Sequence, residues 1–479
     1  MANLWIKIIR NNNFLSLANN GLVAVLGFFS FILLVRILPT QEFGEWVLFL
    51  TTLNFLDMIR FGITRTAIVR FLSGSDEKYG KQLIGSNYAI NLVSTLLLIL
   101  LVYLVDHWGS ETIEDSGFSL FFIWFPVVAI INLPFNNALS VLQARMRFDL
   151  ILLIRIINVG SFMLFLIANY FFFHFGLQTI VWAYILTNLL SSLVSSLFNW
   201  DGILYLFHAK RKASSVILNF GKYTSGTLIG SNLLKSADTF IIGLSPFLGT
   251  TGVALYSIPL KLTEIIEIPI RSYAMTAFPG MSKASIEGNK ELVMHIFYRN
   301  TGGMFLMMLP LMLFSFVFAK EFVIILGGPE YAYTAGIFQI FCLYGLLLPI
   351  DRFLGVALDS INKPKQNFFK VVYMTTANIV GDSVVVFGLT YIVLFASVIT
   401  LVFTGIDGVT EIVSISRSFT IVSILEFVAL VTILFTLIGI AVGFYYLQQE
   451  MTVKYRRILV EGINFYRSFF QKIFFAPRQ

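Results

Sequence analysis

Charge is scarce in this chain. Only 12% of its 479 residues are Asp, Glu, Lys or Arg, about half the share found in an ordinary soluble domain. Cysteine is nearly missing. The single one, Cys342, lies in an apolar run, which excludes an internal disulfide framework and a thiolate metal cluster and reads as a packed residue. The four histidines, His107, His174, His208 and His295, are scattered, and no HExxH, GxSxG or Walker A pattern occurs. The chain therefore offers no catalytic zinc helix, nucleophile elbow or nucleotide loop. No metal, no cofactor and no enzymatic activity are expected. No polar stretch is long enough for a soluble nucleotide-binding domain, so a transporter driven by an ion or substrate gradient is the simplest class.

Hydrophobic residues fill the space that charge leaves. They make up 57% of the chain, with 50 phenylalanines and a mean hydropathy of +0.83. The pattern predicts an all-α polytopic membrane protein of about twelve transmembrane helices. The spans fall at roughly 14–37, 43–66, 83–105, 118–141, 150–173, 178–199, 216–244, 250–278, 292–318, 334–358, 367–392 and 426–447. No cleavable signal peptide is expected, because the first apolar run is of full spanning length. The net charge of +7 reflects positive-inside bias rather than nucleic-acid binding. Links after even-numbered spans hold Lys78 and Lys81, Arg145 and Arg147, Lys210 to Lys212, Lys283 and Lys290, and Lys363 and Lys365; links after odd-numbered spans are acidic or neutral, with Lys320 the main exception. Both termini are therefore expected in the cytoplasm.

The expected domains are a cytoplasmic N-terminus (1–13), an N-lobe of spans one to six (14–200), a cytoplasmic linker (201–215) and a C-lobe of spans seven to twelve (216–447). A basic amphipathic cytoplasmic tail (448–479) follows, where Lys454, Arg456, Arg457, Arg467 and Lys472 alternate with apolar groups, as in an interfacial helix on anionic lipid. Residues 393–425 form an extra apolar region, expected as an excursion on the outer side.

Span eight carries Lys261, Glu264, Glu267 and Arg271 between Pro259 and Pro269. At about 100° per residue the four charges share roughly a third of the helix circumference. Each would cost about 3 kcal/mol against lipid, so together they must pair or line water. Span two carries Asp57, Arg60 and Arg65; span five Arg155; span seven Lys222, Lys235 and Asp238; span ten Asp351 and Arg352; span eleven Asp382. Asp57–Arg60, Lys235–Asp238 and Lys261–Glu264 are candidate pairs that could serve only to join helices. The number of charges favours a hydrated central cavity instead, and its basic excess an anionic cargo. Arg60, Arg65, Arg155, Lys222, Lys235, Lys261 and Arg271 are the expected cargo-binding residues. Asp57, Asp238, Glu264, Glu267, Asp351 and Asp382 are expected in ion coupling or charge pairing.

Two segments look alike: Leu133-Pro-Phe-Asn-Asn-Ala-Leu-Ser-Val141 in span four and Leu348-Pro-Ile-Asp-Arg-Phe-Leu-Gly-Val356 in span ten. Carrying the offset forward sets Arg155 opposite Lys370. Six spans separate the copies, which predicts two six-helix lobes related by a pseudo-twofold axis along the membrane normal.

Four further stretches carry a family resemblance. They are Arg36-Ile-Leu-Pro-Thr-Gln-Glu-Phe-Gly44, Lys235-Ser-Ala-Asp-Thr-Phe-Ile-Ile-Gly243, Ala277-Phe-Pro-Gly-Met-Ser282 and Asn362-Lys-Pro-Lys365. With these the chain resembles, over nearly its whole length, the bacterial oligosaccharide flippases (Wzx-type, polysaccharide biosynthesis proteins) of the multidrug/oligosaccharidyl-lipid/polysaccharide exporter superfamily. The departure is the region 393–425. The resemblance implies two lobes forming a V that opens alternately to each side. It implies a polyprenyl-pyrophosphate-linked oligosaccharide as cargo, flipped across the bacterial cytoplasmic (inner) membrane for O-antigen, capsule or exopolysaccharide assembly. Membrane lipids, a coupling cation or proton and other polysaccharide assembly proteins are the partners it implies, and nucleic acid is not among them. The rival readings are a multidrug cation exporter of the same superfamily, which needs an acidic cavity, and a membrane glycopolymer polymerase or ligase, which needs a sizeable outer loop.

Overall fold

The computed structural model describes residues 12–114, 117–389 and 409–475. Among these the regular structure is helical and no strand occurs. The helices are α1 (Asn12–Ile37), α2 (Thr40–Leu72), α3 (Glu77–Glu114), α4 (Ser119–Ala144), α5 (Phe148–Phe173, with two π turns) and α6 (Leu177–Leu197). After a 3-10 turn (Ile203–His208) come α7 (Arg211–Gly243), α8 (Gly249–Ile286), α9 (Lys290–Val317) and the short α10 (Ala319–Gly327). Then follow α11 (Ala335–Ser360), α12 (Pro364–Ser383, continued by a π turn Val384–Leu389), α13 (Val409–Glu450) and α14 (Tyr455–Phe475). Nine helices among the described residues are long and apolar enough to cross a membrane. The chain is an all-α polytopic membrane protein. Helix α8, with 38 residues, has ample length at about 1.5 Å per residue, but its four central charges keep it out of the nine.

Helix α3 shows why such a chain needs a bilayer. Its polar Asn87, Asn91 and Thr95 are buried, while Val93, Leu97, Leu100 and Leu101 on other faces are exposed. In water this arrangement would be inverted; in lipid the polar groups must find partners inside the protein. They do. Asn87 and Asn91 both donate to Asn137 Oδ1 at 2.8 Å, and Thr64 donates to Asn91 Oδ1 at 2.7 Å.

The chain divides into two compact units, Met1–Asn232 and Leu233–Gln479, and the division falls within α7. In the first unit α4 is the central helix, packed against α2, α3 and α6; in the second α11 packs against α8, α9 and α13. These are the two helices that carry the repeated Leu-Pro segment, and their neighbours correspond at a spacing of six spans. Turn chemistry repeats as well. Met146, Asn199, Gly288 and Asn362 have positive φ, and each is followed by a closing bond: Arg147 N to Leu142 O, Trp200 N to Ser195 O, Asn289 N to Ala284 O and Lys363 N to Leu358 O. This is the left-handed helix closure in which a residue bonds five back. It ends α4, α6, α8 and α11, all on the side with basic links.

The polar link 201–215 contains a 3-10 turn that is seated on α3. A side chain at Gly85 would collide with the Tyr205 carbonyl, and Ser86 Oγ accepts from Lys210 N at 3.1 Å. Asp201 is buried there, accepting from Ser196 Oγ at 2.8 Å and Ile203 N at 3.2 Å; burial raises its pKa above the usual carboxylate value. Of the extra apolar region, residues 409–425 continue the last spanning helix, which begins at Val409 rather than near 426. Its apolar periodicity is helical from the start, and no turn signal interrupts it. Residues 393–408 lie outside the described residues.

Candidate cationic site and buried acid pair

In the first unit, Arg60 is not a cavity residue. Its side chain is fully enclosed: Nε donates to Asp57 Oδ1 at 2.9 Å, Nη1 donates to Ala129 O at 2.6 Å and Thr95 Oγ1 at 3.1 Å, and Nη2 lies 2.7 Å from Asp57 Oδ1 in an ion pair but makes no hydrogen bond among the described residues. The guanidinium also lies 4.5 Å from the Phe61 ring centroid. A desolvated guanidinium needs acceptors inside the protein, and those it finds join α2 to α3 and α4. The candidate pair Asp57–Arg60 thus forms, and the Arg60 side chain is enclosed rather than facing open space.

One and a half turns further along α2 the arrangement changes. Arg65, Thr66, Val69 and Arg70, with Gln143 of α4, line a cavity of about 220 Å³. Residues at i, i+1, i+4 and i+5 share one helix face, which is why both arginines meet the same space. Arg155 of α5 stands near enough to Arg65 for like-charge repulsion. Its guanidinium lies 5.6 Å from the Phe135 ring centroid, and its buried Nε has no hydrogen-bond partner among the described residues. Arg70 is placed by Phe220, 4.8 Å from its ring centroid. Three cations thus gather here, and no ion pair to a carboxylate joins any of them among the described residues.

The second unit compensates its equivalent cation. Lys370, the repeat partner of Arg155, is buried and donates to Asp351 Oδ1 at 2.6 Å and to Asp351 O at 2.9 Å. The position matching Asp351 in the first unit is Asn136, whose amide donates to Asn132 O at 3.1 Å. A single Asn-for-Asp difference between the copies therefore leaves Arg155 without the carboxylate that Lys370 has.

Four of the charges on α8 pair with near neighbours. Lys261 Nζ meets Glu264 Oε2 at 2.7 Å, and Glu267 Oε2 receives Arg271 Nη2 at 2.5 Å and Lys235 Nζ of α7 at 3.5 Å. All are at least partly exposed, and the five together carry one net positive charge. The expected Lys235–Asp238 pair does not form. Lys235 turns to Glu267 of α8 instead, and Asp238 is buried. It accepts from Tyr256 OH at 2.6 Å and from Asn378 Nδ2 at 2.8 Å; the same Nδ2 donates to Asp382 Oδ2 at 3.1 Å. Asp238 and Asp382 thus face each other across one amide, and among the described residues no cation pairs with either. The Lys222 side chain lies outside the described residues. Cys342 is buried, in keeping with a packed role.

Sequence reasoning missed Arg70, Gln143, Tyr256 and Asn378. The i, i+4 spacing of Asn378 and Asp382 was a usable signal for the acid pair, as was the i, i+5 spacing of Arg65 and Arg70 for the cavity. Gln143 and Tyr256 come from other helices and carry no such signal.

Residues 33–335 match the family model described as polysaccharide biosynthesis protein. Over 153 residues the chain is 24% identical to the probable low-salt glycan biosynthesis flippase Agl15 of Haloferax volcanii, a match that covers 32% of each chain. The chain thus spans about a third of the length of that curated relative. The fold is similar to that of a multidrug resistance MATE family transporter of the MOP superfamily in its inward-facing conformation, with a TM-score of 0.69, 14% identity, and 90% of this chain and 96% of that one covered. It is equally similar to the lipid II flippase MurJ in an inward closed conformation, with a TM-score of 0.69, 13% identity, and 97% and 93% covered. At such identities the likeness is one of fold. The family model covers well over half of the sequence, and the chain belongs to the polysaccharide biosynthesis protein family, on the fold of the MOP superfamily.

Proposed function

We propose that this protein is a flippase that moves a polyprenyl-pyrophosphate-linked oligosaccharide across the bacterial cytoplasmic membrane by alternating access, for O-antigen, capsule or exopolysaccharide assembly. The observation that carries the reading is the uncompensated pair Arg65 and Arg70 lining a cavity of about 220 Å³, with Arg155 close to Arg65. Arginine forks suit phosphate oxygens, and the cavity has room for a phosphate or diphosphate group. In this reading the pyrophosphate sits among these arginines while the polyprenyl tail stays in lipid. Lys235, Lys261 and Arg271 offer a second basic face in the other unit. The buried pair Asp238 and Asp382 holds a coupling proton or monovalent cation, since two carboxylates in contact inside a low dielectric are unstable when both are bare.

A multidrug cation exporter is disfavoured because the cavity is lined by arginine. A polymerase or ligase is disfavoured because residues 409–425, half of the only sizeable candidate loop, are helix. Vesicles containing the purified protein should carry a labelled polyprenyl-pyrophosphate oligosaccharide across the bilayer, and Arg155→Gln should impair this. Absence of movement for every lipid-linked unit made by the source cell, in vesicles where a known flippase works, would refute the proposal.

A further inference from the structure

Helix α14 is bound to α9 on one side and unoccupied on another. Glu450 ends α13, and Lys290 Nζ and Lys363 Nζ clamp it at 3.0 and 2.5 Å. Residues 451–454 then link to α14 and reach at most about 14 Å, so α14 begins at the membrane surface where α13 leaves it. Its docking on α9 is tight. A side chain at Gly302 would strike the Ile458 carbonyl, and one at Gly462 would strike the backbone of Gly302. Tyr466 OH donates to Gly303 O at 3.0 Å, Lys454 N donates to Tyr298 OH at 2.6 Å, and the Arg299 guanidinium lies 5.3 Å from the Phe465 ring centroid. Glu461 faces His295 at 3.7 Å.

At about 100° per residue the described part of α14 falls into three arcs. Ile458, Glu461, Gly462, Phe465 and Tyr466 form the docked arc. Arg457, Asn464, Ser468 and Gln471 form a polar arc. Between them Leu459, Val460 and Ile463, exposed by 48, 53 and 58%, share an arc of about 100° with Arg456 and Arg467. An apolar strip with arginines set into its edge suits neither water nor the acyl core. It suits the boundary between headgroups and chains, where arginine stems lie along apolar matter and the guanidinium stays at phosphate level. Lys454, Arg456, Arg457 and Arg467 meet a single described carboxylate on the helix, Glu461, and that one is turned to His295.

We propose that α14 is a binding element for anionic phospholipid headgroups. Leu459, Val460 and Ile463 enter the headgroup boundary, and Arg456, Arg457 and Arg467 hold the phosphates. The bound lipid braces α9 through the Gly302–Gly462 crossing. Charge decides the class of lipid: a zwitterionic headgroup would leave the local excess of cations unbalanced, whereas an anionic one neutralises it.

The test uses the full chain in nanodiscs, in a Cys342→Ala background, with Ile463→Cys carrying a fluorophore. Brominated phosphatidylglycerol, mixed into phosphatidylcholine, should half-quench the label at about a tenfold lower fraction than brominated phosphatidylcholine does. Arg456→Gln, Arg457→Gln and Arg467→Gln together should abolish that difference. Should the triple variant fail to fold, high salt on the labelled parent must weaken the preference in the same way. Equal quenching by both lipids would overturn the proposal. So would a label open to aqueous iodide but untouched by either lipid, or one shielded from both, which would mark the face as a protein contact. None of these outcomes depends on whether the protein flips a lipid-linked glycan.

Discussion

Replacing Asn136 with Asp would give the first unit the carboxylate that the second has at Asp351. Lys370 shows what such a carboxylate does at this point of the repeat: it takes the opposing cation at 2.6 Å. In Asn136→Asp the new carboxylate should draw Arg155 away from Arg65 and neutralise its charge beside the cavity. A hydrogen bond to a charged group contributes about 1.5–3 kcal/mol, and about 1.4 kcal/mol is a factor of ten. Arg65 and Arg70 stay in place and are exposed, so the lower end applies, and half-saturation by the lipid-linked oligosaccharide should rise about tenfold. The assay is the initial flipping rate in vesicles against cargo concentration, with thermal melting measured on the same protein. Arg155→Gln should reproduce the kinetic change. Asp351→Asn should do something different, because it strands a buried ammonium at a cost of about 3–5 kcal/mol: expression and melting fall, and pairing it with Lys370→Met restores them. Unchanged half-saturation in Asn136→Asp at normal expression would refute the reasoning. So would a loss of stability like that of Asp351→Asn, which would mean that Asn136 is held by its own bond to Asn132 O.

Two further outcomes follow from exposure and burial. Cysteines replacing Lys235, Glu264 and Arg271 in a Cys342→Ala background should react with a polar thiol reagent, whereas one replacing Arg60 should be protected and lower expression; labelling at Arg60 equal to the other three would contradict its enclosure by Asp57, Thr95 and Ala129. Asp201 is a pH-dependent weak point, since a carboxyl whose pKa is raised on folding stabilises the fold fully below its unfolded value, roughly pH 4, and loses that contribution as pH rises through the folded value. Asp201→Asn should therefore melt higher than the parent at neutral pH and equally at acidic pH, and a gain at acidic pH alone would reverse the sign and refute the argument.

The fold was legible because the bilayer demands it. Twenty-residue apolar runs cannot be anything but spans, and the basic links fell where the left-handed closures at Met146, Asn199, Gly288 and Asn362 end helices. The Leu133 and Leu348 segments were legible as a repeat, and the structure gives both helices equivalent neighbours within their own units. Partner choice among charges was harder to read. Asp57–Arg60 and Lys261–Glu264 are one turn apart on one helix, so spacing alone identifies them. Lys235 and Asp238 have the same spacing, yet Lys235 turns to Glu267 and Asp238 to Tyr256 and Asn378, because neighbouring helices offer better acceptors and donors. Arg60 illustrates the limit most directly. Its enclosure depends on the Ala129 carbonyl, and backbone acceptors on a proline-containing neighbour leave no trace in side-chain pattern.

The choice of coupling carboxylates separates two sets that the sequence treated alike. Glu264 is exposed and Glu267 partly so, and both are already paired, with Lys261 and with Lys235 and Arg271. A coupling ion binding there would have to displace a cation that is tethered and adjacent, so it gains little. Asp238 and Asp382 are buried, bridged by Asn378, and have no cationic side chain paired with them among the described residues. In the proposed alternating-access cycle, a proton or monovalent cation entering that space would relieve the repulsion in the state that closes around it more than in the state that opens it. Such a difference is what moves a two-state equilibrium. Asp382→Asn should therefore leave downhill flipping close to normal and remove its acceleration by an imposed ion gradient. Glu267→Gln should retain the gradient response and change half-saturation instead, because it releases Lys235 and Arg271 toward anions. Both are read in one vesicle assay with and without the gradient, at matched expression. A gradient response that survives Asp382→Asn and Asp238→Asn but is lost in Glu264→Gln or Glu267→Gln would move coupling to the exposed face of α8 and leave the buried acids a structural role.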